Sequence, residues 1–115
     1  MNIENSKAQL RKGILEFCVL ALLKKEEAYP SDLLNALKGA ELIVVEGTLY
    51  PLLNRLKNAG LLTYRWEEST SGPPRKYYSL TEQGNTFYKE LANSWGELRD
   101  AVEKILEDNK STPKQ

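Results

Sequence analysis

The segment from Glu82 to about Asp108 reads as one unbroken amphipathic helix, and it constrains everything that precedes it. At ~1.5 Å per residue such a helix spans roughly 40 Å. A core assembled from the rest of a 115-residue chain is too small to cover that length. Along it Gly84, Tyr88, Leu91, Trp95, Leu98, Val102 and Ile105 recur at alternating steps of four and three, the spacing of a coiled-coil seam. A seam of this kind needs a second helix. The sequence therefore predicts a dimerisation helix with Tyr88, Leu91, Trp95, Leu98, Val102 and Ile105 along its seam. Thr81 stands where it can cap the helix, and residues 109–115 read as a flexible tail.

The segments before it are shorter. Leu10 to Lys24 is apolar almost all round, with Ile14, Phe17, Cys18, Ala21 and Leu22 on one face and Leu15, Val19 and Leu23 on another; such a helix is buried on most sides, and Cys18 reads as a small core residue. Tyr29-Pro30-Ser31-Asp32 is a helix start, followed by inward Leu33, Leu34 and Leu37 and a stop at Gly39. Leu42 to Val45 is a short apolar connection. A third helix runs from about Gly47 to Asn58, with Leu49, Leu52, Leu53 and Leu56 as its buried stripe, Pro51 marking its start and Gly60 its stop. Leu62, Tyr64 and Trp66 then alternate with Thr63, Arg65 and Glu67, and Arg75 to Leu80 is rich in β-favouring aromatics: a hairpin with a polar tip. Trp66 reads as a packing residue of that hairpin. The fold expected is mainly α with a small β-hairpin: a winged helix-turn-helix over residues 1–80 and a C-terminal dimerisation helix over 81–108.

Several chemistries are disfavoured by what the chain lacks. It has no histidine and a single cysteine, which removes the commonest acid/base, the commonest metal ligand and any internal disulfide. No enzyme activity, metal or cofactor is expected. The longest apolar run, near Ile14 to Leu23, is too short to span a bilayer and is interrupted by Glu16; Met1 to Gln9 is too polar for a signal peptide. A cytoplasmic location with no membrane partner is the expectation. Formal net charge is zero, but its distribution is uneven. Up to Lys25, five cations (Lys7, Arg11, Lys12, Lys24, Lys25) face Glu4 and Glu16, whereas Glu82 to Asp108 sets seven acids against Lys89, Arg99 and Lys104. One end of the molecule suits phosphate and the other does not.

With its leucines inward, the third helix turns Thr48, Tyr50, Pro51, Asn54, Arg55 and Asn58 outward. Hydroxyl, phenol, amide and guanidinium groups on one exposed face are those that contact base edges and phosphates. The second helix of a helix-turn-helix enters the major groove of DNA by its N-terminal end. At the hairpin tip, Gly72-Pro73-Pro74 is a stiff turn beside Arg75 and Lys76, suited to a minor groove. The alternatives are a solvated helix face and an exposed turn. A docking module for another protein is the competing function, since Tyr50 and Arg55 are residue types common at protein interfaces.

The same residues resemble the PadR family of transcriptional regulators. The resemblance rests on Leu10-Arg11-Lys12-Gly13, Val19-Leu20-Ala21-Leu22-Leu23, Glu46-Gly47-Thr48-Leu49-Tyr50-Pro51 with Leu53, Arg55 and Leu56, then Gly60-Leu61, Gly72-Pro73-Pro74-Arg75-Lys76-Tyr77-Tyr78, Leu80-Thr81 and Gly84. It covers nearly everything from Leu10 to Ile105, and its length is similar to that of the short subfamily with one C-terminal helix. The resemblance implies a homodimeric repressor on double-stranded operator DNA, its dimer formed by the long C-terminal helix with the first helix, with Thr48, Tyr50 and Pro51 at the major groove and Arg75 and Lys76 at backbone or minor groove. It also implies a site for a planar aromatic effector at the dimer centre, at Trp95 with Leu91 and Tyr88; dimer packing alone is the other reading of Trp95. Tyr29-Pro30-Ser31 departs from the Tyr-Gly-Tyr-like start usual in the family's second helix.

Overall fold

Seven elements follow one another: α1 (Ile3–Arg11), α2 (Ile14–Lys25), α3 (Pro30–Gly39), α4 (Glu46–Asn58), β1 (Leu62–Glu67), β2 (Arg75–Leu80) and α5 (Glu82–Ser111). The computed structural model describes residues 1–42 and 44–111, with side chains as far as Asp108. Ile43 of the expected Leu42–Val45 connection and residues 112–115 of the expected tail lie outside the described residues.

The helix expected from Leu10 is in fact two. Gly13 takes φ 87°, a left-handed value that breaks the helical path and lets α2 restart at Ile14. Before it, α1 is capped by Asn2, whose side-chain oxygen accepts the Glu4 N–H at 2.8 Å and the Asn5 N–H at 3.3 Å. No residue of α1 is buried, and Ile3 and Leu10 are exposed. Its polar composition hid it from a reading based on apolar periodicity.

Helix ends followed backbone geometry more than glycine position. α3 ends at Gly39 as expected, but Gly39 itself keeps helical geometry. Glu41 takes the left-handed turn instead, at φ 66°, with Leu42 N–H bonded to Leu37 O at 2.8 Å and Glu41 N–H to Lys38 O at 2.9 Å. α4 closes the same way around Gly60, at φ 86°, through Leu61 N–H to Leu56 O and Gly60 N–H to Lys57 O, both 3.0 Å. Pro51 does not mark the start of α4. The helix begins at Glu46, so Pro51 falls in its second turn and has no N–H to give the carbonyl of Gly47. Gly47 and Pro51 are both exposed, which leaves that carbonyl to water.

The stripe Leu49, Leu52, Leu53 and Leu56 is buried as expected, against Val19, Leu20 and Leu23 of α2, Leu33 and Leu37 of α3, and Leu61, Leu62 and Tyr78. β1 and β2 pair antiparallel, with Leu62 opposite Leu80, Tyr64 opposite Tyr78 and Trp66 opposite Lys76. Ala28 adds a one-residue bridge to the free edge of β2, exchanging both hydrogen bonds with Tyr78 at 3.0 and 2.8 Å. That bridge fixes the start of α3 against the hairpin.

Thr81 caps α5 as expected: its hydroxyl accepts the Gly84 N–H at 2.9 Å and donates to the Gly60 carbonyl at 2.7 Å. Gly84 is buried, and a Cβ there would stand 2.0 Å from the Leu61 carbonyl oxygen. The start of the expected seam is therefore an internal contact. Tyr88 and Leu91 are half-buried against the same core, while Leu98 is 62% and Ile105 63% exposed. The outer part of α5 leaves the body: the radius of gyration is 17.4 Å, against about 13 Å for a rounded domain of this size.

Candidate nucleic-acid interface

Successive residues of a helix are about 100° apart around its axis. With the leucine stripe of α4 pointing inward, Gly47, Pro51, Asn54 and Asn58 fall directly opposite it. Tyr50 and Lys57 fall on one flank, and Thr48 and Arg55 on the other. All of these residues are exposed. The six outward positions expected are thus correct, but they do not form a single surface.

On the Tyr50 flank a cleft of about 310 Å³ separates α4 from the hairpin, lined by Tyr50, Trp66, Lys76, Arg75 and the α3 start at Tyr29 to Ser31. Strand alternation sends Arg75 and Lys76 to opposite faces of the hairpin. Both nevertheless reach this cleft. Arg75 folds back with its guanidinium carbon 3.9 Å from the centroid of the Tyr29 ring. Lys76 Nζ lies 4.5 Å from the Tyr64 ring and 5.6 Å from Trp66. Each contact is worth about 0.5–1 kcal/mol at an exposed site, and it holds the cation in place without neutralising it. Arg65 differs. Desolvation lowers its pKa, but hydrogen bonds to Glu27 and Glu67 outweigh this and leave it raised. Paired with two acids, it has little positive field to offer.

The other flank faces a larger cleft of about 690 Å³ between α4 and the α1–α2 corner, lined among others by Arg11, Lys12, Glu16, Thr48, Pro51 and Arg55. Arg55 is hydrogen-bonded to Glu16 across it. Gly72 is exposed at the hairpin tip, where a Cβ would meet only Ser69 Oγ, at 4.0 Å. The expected contact residues therefore fall into two groups: Tyr50, Arg75 and Lys76 meet in one cleft, and Thr48, Pro51 and Arg55 in another. Asn54 lies between them.

Sequence reading misplaced one residue outright. Trp66, expected to pack, is 61% exposed and lines the hairpin side of the first cleft. Its alternation with Leu62 and Tyr64 put it on the core-facing side, but β1 outruns the core before reaching it. Lys57, with Nζ 5.8 Å from the Tyr64 ring, also escaped notice. Counting helical angles outward from the leucine stripe would have found it. The residues expected at an effector site are likewise part of a larger group. Phe17 of α2 stacks on Tyr88 with ring centroids 5.8 Å apart and lies 6.3 Å from Trp95, so Tyr88 and Trp95 share an intrachain aromatic neighbour.

The pattern of the Transcriptional regulator PadR-like family matches residues 19–90, from the middle of α2 into α5. The chain belongs to this family. A PadR-like transcription factor from Bacteroides fragilis is 61% identical, with 88% of this chain and 98% of that one covered at a TM-score of 0.75. A PadR-family transcriptional regulator from Eggerthella lenta is 37% identical over 91% and 92% of the two chains, with a TM-score of 0.80. Bacillus subtilis PadR, solved in complex with operator DNA, is 25% identical over 70% of this chain and 47% of its own, with a TM-score of 0.64. The PadR-like fold is a winged helix-turn-helix followed by a long C-terminal helix, and its members are transcriptional regulators rather than enzymes. Among the described residues no helix is long and apolar enough to cross a membrane.

Proposed function

We propose that this PadR-family chain is a DNA-binding repressor that covers an inverted-repeat operator as a homodimer. The observation that carries this reading is the meeting of Tyr50, from the exposed polar face of α4, with two unneutralised wing cations in one cleft. α4 enters the major groove with Thr48, Tyr50, Pro51, Asn54 and Arg55, while Gly72, Arg75 and Lys76 meet the backbone or the minor groove. Residues 1–80 form the DNA-binding unit and 81–108 the dimerisation helix, through Leu98, Val102 and Ile105 with Trp95, Leu91 and Tyr88 at its inner end. Two recognition helices about 34 Å apart would read half-sites one turn apart. A planar aromatic effector at Trp95, Leu91 and Tyr88 would release DNA only by binding the free and bound dimers unequally.

The test is titration of the purified protein into labelled duplex taken from the DNA upstream of its own reading frame, at several salt concentrations. Binding should weaken steeply with salt, with a slope near −0.9 per phosphate neutralised. Binding that is absent or indifferent to salt would sink the proposal. Arg75→Ala and Lys76→Ala should weaken binding to every sequence, whereas Tyr50→Ala should change sequence preference. A protein-docking module is the competing reading. Zero net charge and the acidic character of α5 favour it, and the same titration separates the two.

A further inference from the structure

We propose that Trp66 is a DNA contact, its indole packing on the deoxyribose–phosphate strand that runs through the cleft between α4 and the wing. The inference rests on the DNA-binding reading above and adds to it a contact and its chemistry. Along the core-facing side of β1, burial falls steadily: Leu62 is 3% exposed, Tyr64 half-buried, and Trp66 61% exposed. Leaving so large an apolar ring in water forfeits the area it could bury, so its exposure asks for an occupant. The outer half of α5 does not supply one, because Trp66 lies on the hairpin and faces Tyr50 across the cleft.

The occupant follows from geometry and charge. When α4 sits in the major groove and the wing in the minor groove, the one element of the duplex between them is the strand that separates those grooves. That strand must pass through the cleft. Among the described residues, the only charged ones lining it are Arg75 and Lys76, which match an anionic backbone. Glu68 sits with Pro73 and Pro74 in a separate hollow on the tip side of Trp66. Trp66 is held for this role from both sides: its ring meets Tyr64 edge-on at 5.9 Å, and Lys76 is its cross-strand partner. The ring face suits deoxyribose C–H groups and the indole N–H can donate to a phosphate oxygen. A contact to backbone positions the protein without reading sequence.

The test uses the full chain and its Trp66→Phe and Trp66→Ala variants with two duplexes, the upstream DNA and a scrambled version. Labelled-DNA anisotropy reports binding, and acrylamide quenching of tryptophan emission reports shielding. DNA should protect the wild type from acrylamide, and Trp66→Phe, which retains Trp95 alone, should lose that protection while still binding. Trp66→Ala should weaken both duplexes alike by about tenfold. Binding by anisotropy with equal protection in wild type and Trp66→Phe would overturn the assignment and leave the DNA-binding reading intact. A loss confined to the upstream duplex would also overturn it, since that marks base reading. Absence of binding in the wild type at any salt would overturn the DNA-binding reading itself and this contact with it.

Discussion

The two halves of α5 share one pattern and have opposite surroundings. Gly84, Tyr88 and Leu91 press against their own chain; Leu98, Val102 and Ile105 continue the same stripe into solvent. Periodicity treats the residues as equivalent, because a stripe records only which side of a helix is apolar. What differs is whether the body of the protein extends far enough to cover it. The inner half is therefore folding surface. The outer half is association surface, on the proposal that a second copy covers it.

The sharpest way to break this comparison is a methyl group. Gly84→Ala places a Cβ against the Leu61 carbonyl, where backbone must move, and should cost about 3 kcal/mol or more in denaturant unfolding. A near-neutral result would mean that α5 docks less tightly than its inner contacts indicate. Changing Leu98 and Ile105 together to glutamate should leave a folded head but give a monomer on gel filtration. The wild type's melting temperature should rise with protein concentration and the variant's should not. For a dimer at roughly a hundredfold above its Kd, the stabilisation lost is about 3 kcal/mol. If the variant eluted as the wild type does, the seam would not be the interface.

Gly96 supplies the control within the same helix. A Cβ there meets nothing within 4 Å, and it lies off the stripe. Gly96→Ala should stabilise the protein by about 0.5–1 kcal/mol through helix propensity. A weakened dimer instead would place a partner helix against that side too. The smallest effect concerns the head alone. Burial raises the Cys18 thiol pKa; desolvation, then the Tyr64 and Tyr50 phenols, raise that of Tyr78. Both groups are neutral in the fold and ionise more readily once unfolded. Their contribution is intact below the unfolded-state values and declines as pH rises from about 8.5 through 10 and beyond. Thermal melts across that range should show an alkaline loss that Cys18→Ala and Tyr78→Phe each reduce.

Much of the head could be read from residue types. The leucine stripe of α4, the Thr81 cap and the hairpin strands are local patterns, set by helical and strand periods and by the chemistry of free N–H groups. Three elements could not be read so directly. α1 carries no buried stripe to detect. α3 does end at Gly39, yet the left-handed turn that closes it falls on Glu41, because the Leu42 and Glu41 N–H groups find carbonyls there. Pro51 looked like a helix start, yet α4 tolerates it one turn later because the carbonyl it deprives faces water. The candidate site shows the same division. Which side chains leave α4 outward was legible; that they part into two clefts, with Arg55 tied to Glu16, was not.

By itself the sequence determined the period of every buried stripe and the family to which the chain is similar, because both rest on the order of side chains along the backbone. It also supplied a last helix longer than the core. Only the tertiary structure decided where the core ends, and so which members of one apolar alternation are covered. Burial depends on what stands opposite a residue, and that neighbour is distant in sequence. For the same reason Leu91 is packed and Leu98 bare, and Tyr64 lies against the core while Trp66 faces the cleft.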